Sequence, residues 1–287
     1  MSPLSFALEP GRIAPRLGVS LGLNANAIEA VRNRLANRDG MADDEVMASV
    51  LRIASMWRSK LIANTVMTTD GVTVQSGPFA GMQYATTATE GALLPRLLGI
   101  YESQLHPHIE ALARQGLDRI VDVGCAEGYY AVGFARLLPN AIVHAHDTDP
   151  AARALCAELA ALNGVAERVR IGGAFDHADF EAFAGPRTLV FMDIEGGEAK
   201  LLDPVRAPAL RTVNIIVETH PGPGPLCDVL AARFEATHEI VRIDQTPQAM
   251  TDLPPLFRKL SHLDQLIAAW EWRRWLTPWL VMRPKAG

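Results

Sequence analysis

The chain has 287 residues, of which 49% are hydrophobic and 21% charged, with a formal net charge of −5. That length and composition suit one α/β domain with an appended subdomain and a sizeable core. The mildly acidic balance and the lack of a long basic run argue against a nucleic-acid partner. Three cysteines, Cys125, Cys156 and Cys227, lack paired spacing, so neither a disulfide framework nor a zinc-thiolate site is expected, and a reducing cytoplasm is. There is no charged-then-apolar secretion pattern and no apolar run of bilayer length, so no membrane role is expected.

In chain order, residues 1–22 are rich in Pro and Gly and read as irregular. Asn24 is placed to cap a helix from about Ala25 to Asn37, and Asp43 or Asp44 a second helix running to about Met67. Val46, Val50, Ile53, Met56 and Trp57 recur there at helical spacing. Such a stripe packs onto the main domain, or forms a lid or homodimer surface. The segment 69–84 alternates like a strand broken by glycines and suggests a hairpin or connector. Leu93 to Gln115 reads as a helix with a break near Pro107.

From Asp118 strands alternate with helices. The predicted strands are 118–123, 141–147, 167–172, 187–193, 212–219, 237–243 and 278–283, a pattern that implies a mostly parallel sheet with helices on both faces. The organisation expected is an N-terminal helical cap over 1–75, a connector and leading helix over 76–117, and a core over 118–287. Within that core, 245–275 forms a substrate-side insertion ending in a helix from Leu260 to Trp275.

The chemistry concentrates at strand ends. Val121-Asp-Val-Gly-Cys-Ala-Glu-Gly128 is a buried strand, a glycine turn and a helix start, which brings backbone close to a nucleotide-like ligand. It has neither the Gly-Lys-Ser/Thr of a triphosphate loop nor the Gly-x-Gly-x-x-Gly of dinucleotide binders. About twenty residues on, the second strand ends at Asp147, positioned to accept from both ribose hydroxyls, with Asp149 as the alternative and helix capping as the competing role of both. Phe175 and Asp176 follow the third strand, where an aromatic ring can stack on a base or simply pack in the core. Asp193 ends the fourth strand, and Glu218 and His220 the fifth. Side by side, they could bind a divalent cation, supply a general base, or only hold loops.

These motifs resemble the class I S-adenosylmethionine-dependent methyltransferases. Val121 to Gly128 is similar to their first motif, and His146-Asp147 to the end of their second strand. Phe191-Met-Asp-Ile-Glu-Gly-Gly-Glu198 and Ile216-Val-Glu-Thr-His220 resemble the FkbM-type branch, although Cys125-Ala126 stands where that branch often has Ala-Asn. The resemblance spans roughly residues 110–245. It implies a Rossmann-like, seven-stranded sheet with one antiparallel member. It also implies a donor cradle of Asp122, Gly124, Glu127, Gly128, Asp147 and Phe175, with Asp122 or Glu127 reaching the donor's amino group. O-methylation of a small-molecule acceptor is the activity it implies, for which the strand-end residues offer either His220 and Asp193 as catalytic groups or a cation such as Mg on Asp193, Glu218 and His220. The competing functions are a non-catalytic donor-binding subunit and a nicotinamide oxidoreductase, the second disfavoured by the turn spacing and by the acidic Glu127 near the phosphate position.

Overall fold

The computed structural model describes residues 17–84, 92–220, 226–246, 257–258, 260–273, 275 and 277–285. Residues 1–16, and Pro254, Pro255 and Lys259 of the expected insertion, lie outside them. Two helices come first, α1 (Leu17–Ala36) and α2 (Asp43–Asp70), packed on each other. The first begins earlier than its sequence suggested. Gly18 and Gly22 lie inside it at about 1 kcal/mol each relative to alanine, so they tax the helix without ending it. Asn24 is consequently internal, and its side chain accepts from Trp57 Nε1 at 2.8 Å instead of capping.

The expected helix over 93–115 is α3 (Leu93–Leu98), a 3-10 turn (Ser103–Leu105) and α4 (His106–Ala113). The break falls at Gly99, left-handed at φ 71°, where a side chain would strike the Ser76 carbonyl. Pro107 sits in the first turn of α4, where its missing N–H costs nothing.

All seven predicted strands are present: β1 (Arg119–Val123), β2 (Ile142–His146), β3 (Val169–Gly172), β4 (Thr188–Met192), β5 (Asn214–Glu218), β6 (His238–Ile243) and β7 (Trp279–Pro284). They form one sheet in the order β3-β2-β1-β4-β5-β7-β6, parallel except for β7, which runs antiparallel between β5 and β6. The intervening helices are α5 (Tyr129–Leu137), α6 (Pro150–Leu162), α7 (Glu198–Leu201), α8 (Leu226–Phe234) and α9 (His262–Ala269). Every residue of β4 and β5 is buried, as a sheet covered on both faces requires. Ile120, Phe191 and Ile216 pack into one core layer, and Val121, Val190 and Val217 into the other. The strand order reverses at β1, which lies between β2 and β4, and such a switch point leaves a crevice at the carboxyl ends.

The helix expected over 260–275 ends at Ala269. Trp270 is extended and Trp272 is left-handed at φ 66°, because this stretch is held by tertiary partners rather than by its own helical pattern. Arg52 lies over the Trp270 ring at 5.3 Å and Lys60 over Trp272 at 5.5 Å. The segment before the sheet is keyed to α5 by Phe79, whose ring meets Tyr129 and Phe134 edge-on at 5.5 Å. Gly133 makes room for it, since a Cβ there would lie 2.6 Å from the root of the Phe79 ring. Gly133→Ala should therefore lower thermal stability. Overpacking costs about 1–3 kcal/mol and outweighs the helix-propensity gain of about 0.5–1 kcal/mol. A higher melting temperature in the variant would contradict this packing.

Candidate active site

The turn after β1 is stitched to the end of β2. Gly124 and Cys125 donate their N–H groups to the His146 carbonyl at 2.8 and 3.0 Å, and Ala126 donates to Asp147 Oδ2 at 2.9 Å. Asp147 Oδ1 accepts from the Asp149 N–H at 2.8 Å. Both carboxylate oxygens are thus fixed, and each keeps acceptor capacity for a ligand hydroxyl. On the other side, the Asp193 N–H donates to the Val123 carbonyl at 3.0 Å. Gly124 is required there: it sits at φ 88°, and a Cβ would lie 1.8 Å from the Asp193 carbonyl oxygen.

These elements surround a cavity of about 360 Å³ whose walls include Gly124, Ala126, His146, Asp147, Phe175, Asp193 and Glu195. Of the expected cradle, Gly124, Asp147 and Phe175 line it. The Phe175 ring leans edge-on against His146 at 4.7 Å and Phe180 at 4.8 Å. Asp149 caps α6 through the Ala151 N–H at 2.9 Å, and Asp176 caps the 3-10 helix over His177–Phe183 through Ala178 at 3.2 Å.

Asp122, Glu127 and Gly128 are not on the cavity wall. Gly128 faces α6, where a Cβ would lie 2.8 Å from Cys156 Sγ. Glu127 is buried, accepts from the Tyr84 hydroxyl and pairs with Arg96 at 3.3 Å. Arg96 in turn lies over the Tyr101 ring at 4.3 Å. The charge of Glu127 is therefore spent inside the protein, and it no longer argues against a phosphate in the crevice. Asp122 is 1% exposed, and burial foremost, then the Asp147 charge, pushes its carboxyl up to about 8 against the Ala131 backbone hydrogen bond.

At the ends of β4 and β5 the expected groups converge. His220 Nδ1 lies 2.7 Å from Glu198 Oε1, and its Nε2 lies 3.2 Å from Glu195 Oε2, 3.3 Å from Glu218 Oε2 and 3.6 Å from Asp193 Oδ1. The ligand atoms that gather within 4.8 Å of one another belong to Asp193, Glu195 and His220. Glu218, expected among them, accepts at Oε1 from Arg273 at 2.5 Å and from the Thr277 hydroxyl. Burial opposes charge on His220, yet hydrogen bonds to Glu198 and Glu218 and the nearby carboxylate charges hold it up to about 11. Burial, and then Glu218, raises Asp193 well above the usual carboxylate range. An imidazole held this strongly as its cation is a poor base. It is, however, oriented like a metal ligand, with a buried carboxylate behind one nitrogen and three carboxylates before the other. Asp193 Oδ1 and Glu198 Oε2 are buried without a hydrogen-bond partner among the described residues, which suits a cation in this cluster.

Arg273, Glu102 and Tyr130 carry no sequence pattern that marks them as neighbours of this cluster. Arg273 also bonds Glu102, to which Tyr130 donates, and its Nε donates to Glu271 at 3.0 Å. The only local signal was a run of charge among tryptophans, Glu271-Trp-Arg-Arg-Trp275.

No family model matches the chain and no curated protein matches it. Solved structures do. An O-methyltransferase from Streptomyces achromogenes involved in tomaymycin synthesis, in complex with SAM, is 13% identical over 63% of this chain and 81% of its own, with a TM-score of 0.43. An O-methyltransferase from Bacillus cereus in complex with SAH is 12% identical over 61% and 78%, with a TM-score of 0.42. The human methyltransferase 10 domain containing protein is 10% identical over 80% and 96%, with a TM-score of 0.45. At these scores the likenesses decide nothing about the site, whose own geometry must carry the function.

The buried Asp122 makes stability depend on pH with a definite sign. Its folded-state pKa, about 8, lies above the ordinary 3.8, so between those values the unfolded chain releases a proton that the folded chain keeps. Asp122 thus contributes most at low pH, and that contribution is lost as pH rises through this window. Urea unfolding of wild type and Asp122→Asn should show the wild type losing ground to the variant from pH 4 to 8. Parallel pH profiles would contradict the burial of a neutral Asp122.

Proposed function

We propose that the chain is an S-adenosylmethionine-dependent methyltransferase of the FkbM-like branch, acting in the cytoplasm on the oxygen of a small-molecule acceptor, with a divalent cation such as Mg at Asp193, Glu195 and His220. The observation that carries this reading is Asp147. It ends β2 with both oxygens aimed by the Ala126 and Asp149 N–H groups, on the wall of a cavity that also contains Phe175 and Asp193. A nucleoside laid across the ends of β1 and β2 would meet a diol acceptor at Asp147 and an aromatic face at Phe175.

Methyl transfer from a sulfonium needs alignment more than covalent help, so the chain's task is to hold donor and acceptor in line and manage one proton. Asp193 lines the donor cavity and also faces His220, so the two halves of the reaction meet there. A bound cation would lower the pKa of an acceptor hydroxyl and fix its direction. His220, anchored by Glu198, would present Nε2 to that ion in place of its proton.

Calorimetry with S-adenosylmethionine tests the donor reading. Wild type should bind it, and Asp147→Ala should bind at least about tenfold more weakly, roughly 1.4 kcal/mol. Circular dichroism should show both folded. Absence of binding by folded wild type, or binding of NAD in its place, would sink the proposal, and equal affinity in the variant would remove Asp147 from the ribose.

A further inference from the structure

We infer that the face shared by α1 and the first half of α2 docks a second copy of this chain, the two helix pairs closing into a four-helix bundle. Helix α2 has two unlike halves. From Ile62 onward it is locked into the domain, where Ile62, Ala63 and Val66 are buried in one cluster with Leu94, Leu98 and Ala268. Its first half carries α1, which makes no comparable contact with any other described element. Trp57 donates to Asn24 at 2.8 Å at one end of the pair, and Arg34 donates to Met41 Sδ at 3.4 Å at the other. Yet none of the α1 side chains described, from Leu23 to Ala36, is buried. A 20-residue helix resting on a single neighbour has not finished covering its apolar side.

What it leaves open is a stripe on each helix. Ile28 and Leu35 lie two turns apart on α1, and Met47 and Leu51 one turn apart on α2, and all four are between 46% and 68% exposed. Ala54 continues the α2 stripe at helical spacing from Met47 and Leu51. Ile28 and Ala54 line one groove of about 510 Å³ between the helices, which puts both stripes on the same side of the pair. Single exposed apolar side chains mean little, but four on one side of two packed helices mark a contact face.

Charge and area select a second copy as the occupant. Arg32 lines the groove, paired only loosely with Glu29 at 3.9 Å, and Arg38 follows the end of α1; both are exposed. Asp43 and Asp44, also exposed, open α2, and Asp43 stands one turn before Met47 on the same side. A two-fold axis parallel to the helices lays α1 of each copy antiparallel against α2 of the other, with the hairpin tips level. The basic end of each α1 then meets the acidic start of the other α2, and both apolar stripes are covered. The face is about 30 Å long, from the 20 residues of α1, and about 20 Å wide, the width of two helices. Two such faces bury roughly 1,200 Å² in all, the lower end of specific, stable interfaces, which suits a dimer that dissociates in the micromolar range.

Sedimentation velocity of the whole chain, from about 1 to about 100 µM, tests the assignment. Wild type should pass within that range from the 31.1 kDa monomer to a species of twice that mass. Met47→Glu/Leu51→Glu changes exposed positions and should weaken association at least about tenfold while circular dichroism shows it folded. Charge reversal tests the pairing of α1 with α2. Arg32→Glu/Arg38→Glu and Asp43→Lys/Asp44→Lys should each associate more weakly than wild type. An equimolar mixture of the two should associate more tightly than either alone, because only the mixed dimer restores opposite charges at both contacts. A wild type that stays monomeric to about 100 µM would overturn the inference and leave the face to an unrelated partner. So would a dimer as tight in Met47→Glu/Leu51→Glu as in wild type, or a mixture that associates no better than its two components.

Discussion

The site depends on one close approach, that of the Gly124 backbone to the Asp193 carbonyl. Strands β1 and β4 are neighbours at the point where the sheet order reverses, and the chain leaving β4 must pass the turn leaving β1. A side chain at 124 would meet the Asp193 oxygen at 1.8 Å, so only glycine lets the two ends come together. That approach sets Asp193 on the wall of the cavity at the ends of β1 and β2 and, from the same residue, in front of His220. The glycine turn serves the contact between strand ends as much as any ligand. Backbone strain gathers around the same place. The non-glycine residues at positive φ among the described residues are Glu102, Ala126, Glu195 and Trp272, and each lines the cavity, pairs with Arg273 or precedes it in the chain. Strain of this kind persists where surrounding structure imposes it, and it concentrates at working sites.

Charge is distributed with equal economy. Glu102, Glu218 and Glu271 share Arg273, while Asp193, Glu195, Glu198 and Glu218 share His220. Two resident cations among six carboxylates leave an excess of negative charge in a largely buried region. The protein meets it in two ways. Burial foremost pushes Glu102 up to about 8 and raises Asp193 well above its usual range. His220 is held as an imidazolium. On the proposed reading, a divalent ion would relieve the same excess by displacing protons.

Much of this was legible in the sequence, for physical reasons. The strands announce themselves by apolar runs and glycine punctuation, and all seven appear. Asp147, Gly124 and Phe175 stand where a strand end must put them, since position along a strand–helix–strand unit fixes the edge at which they emerge. What escaped depends on partners far away in the chain. Glu127 reads as a ligand-facing acid until Tyr84 and Arg96 fold against it. The sequence from Leu260 to Trp275 reads as one helix, but Arg52 and Lys60 from α2 and the carboxylates around Arg273 hold the stretch after Ala269 in a non-helical path. The hold of Arg273 on Glu218 Oε1 likewise escapes the sequence, since no local pattern marks Arg273 as a neighbour of β5.

The central claim is that one crevice at the ends of β1, β2 and β4 holds the methyl donor with its sulfur toward Asp193. A crystal structure with S-adenosylhomocysteine tests it most directly. The ribose hydroxyls should lie within hydrogen-bond distance of Asp147, the adenine beside Phe175, and the sulfur on the side of the cavity formed by Asp193. A ligand bound elsewhere, or one in the crevice with its ribose away from Asp147 and its sulfur pointing from Asp193, would contradict the claim.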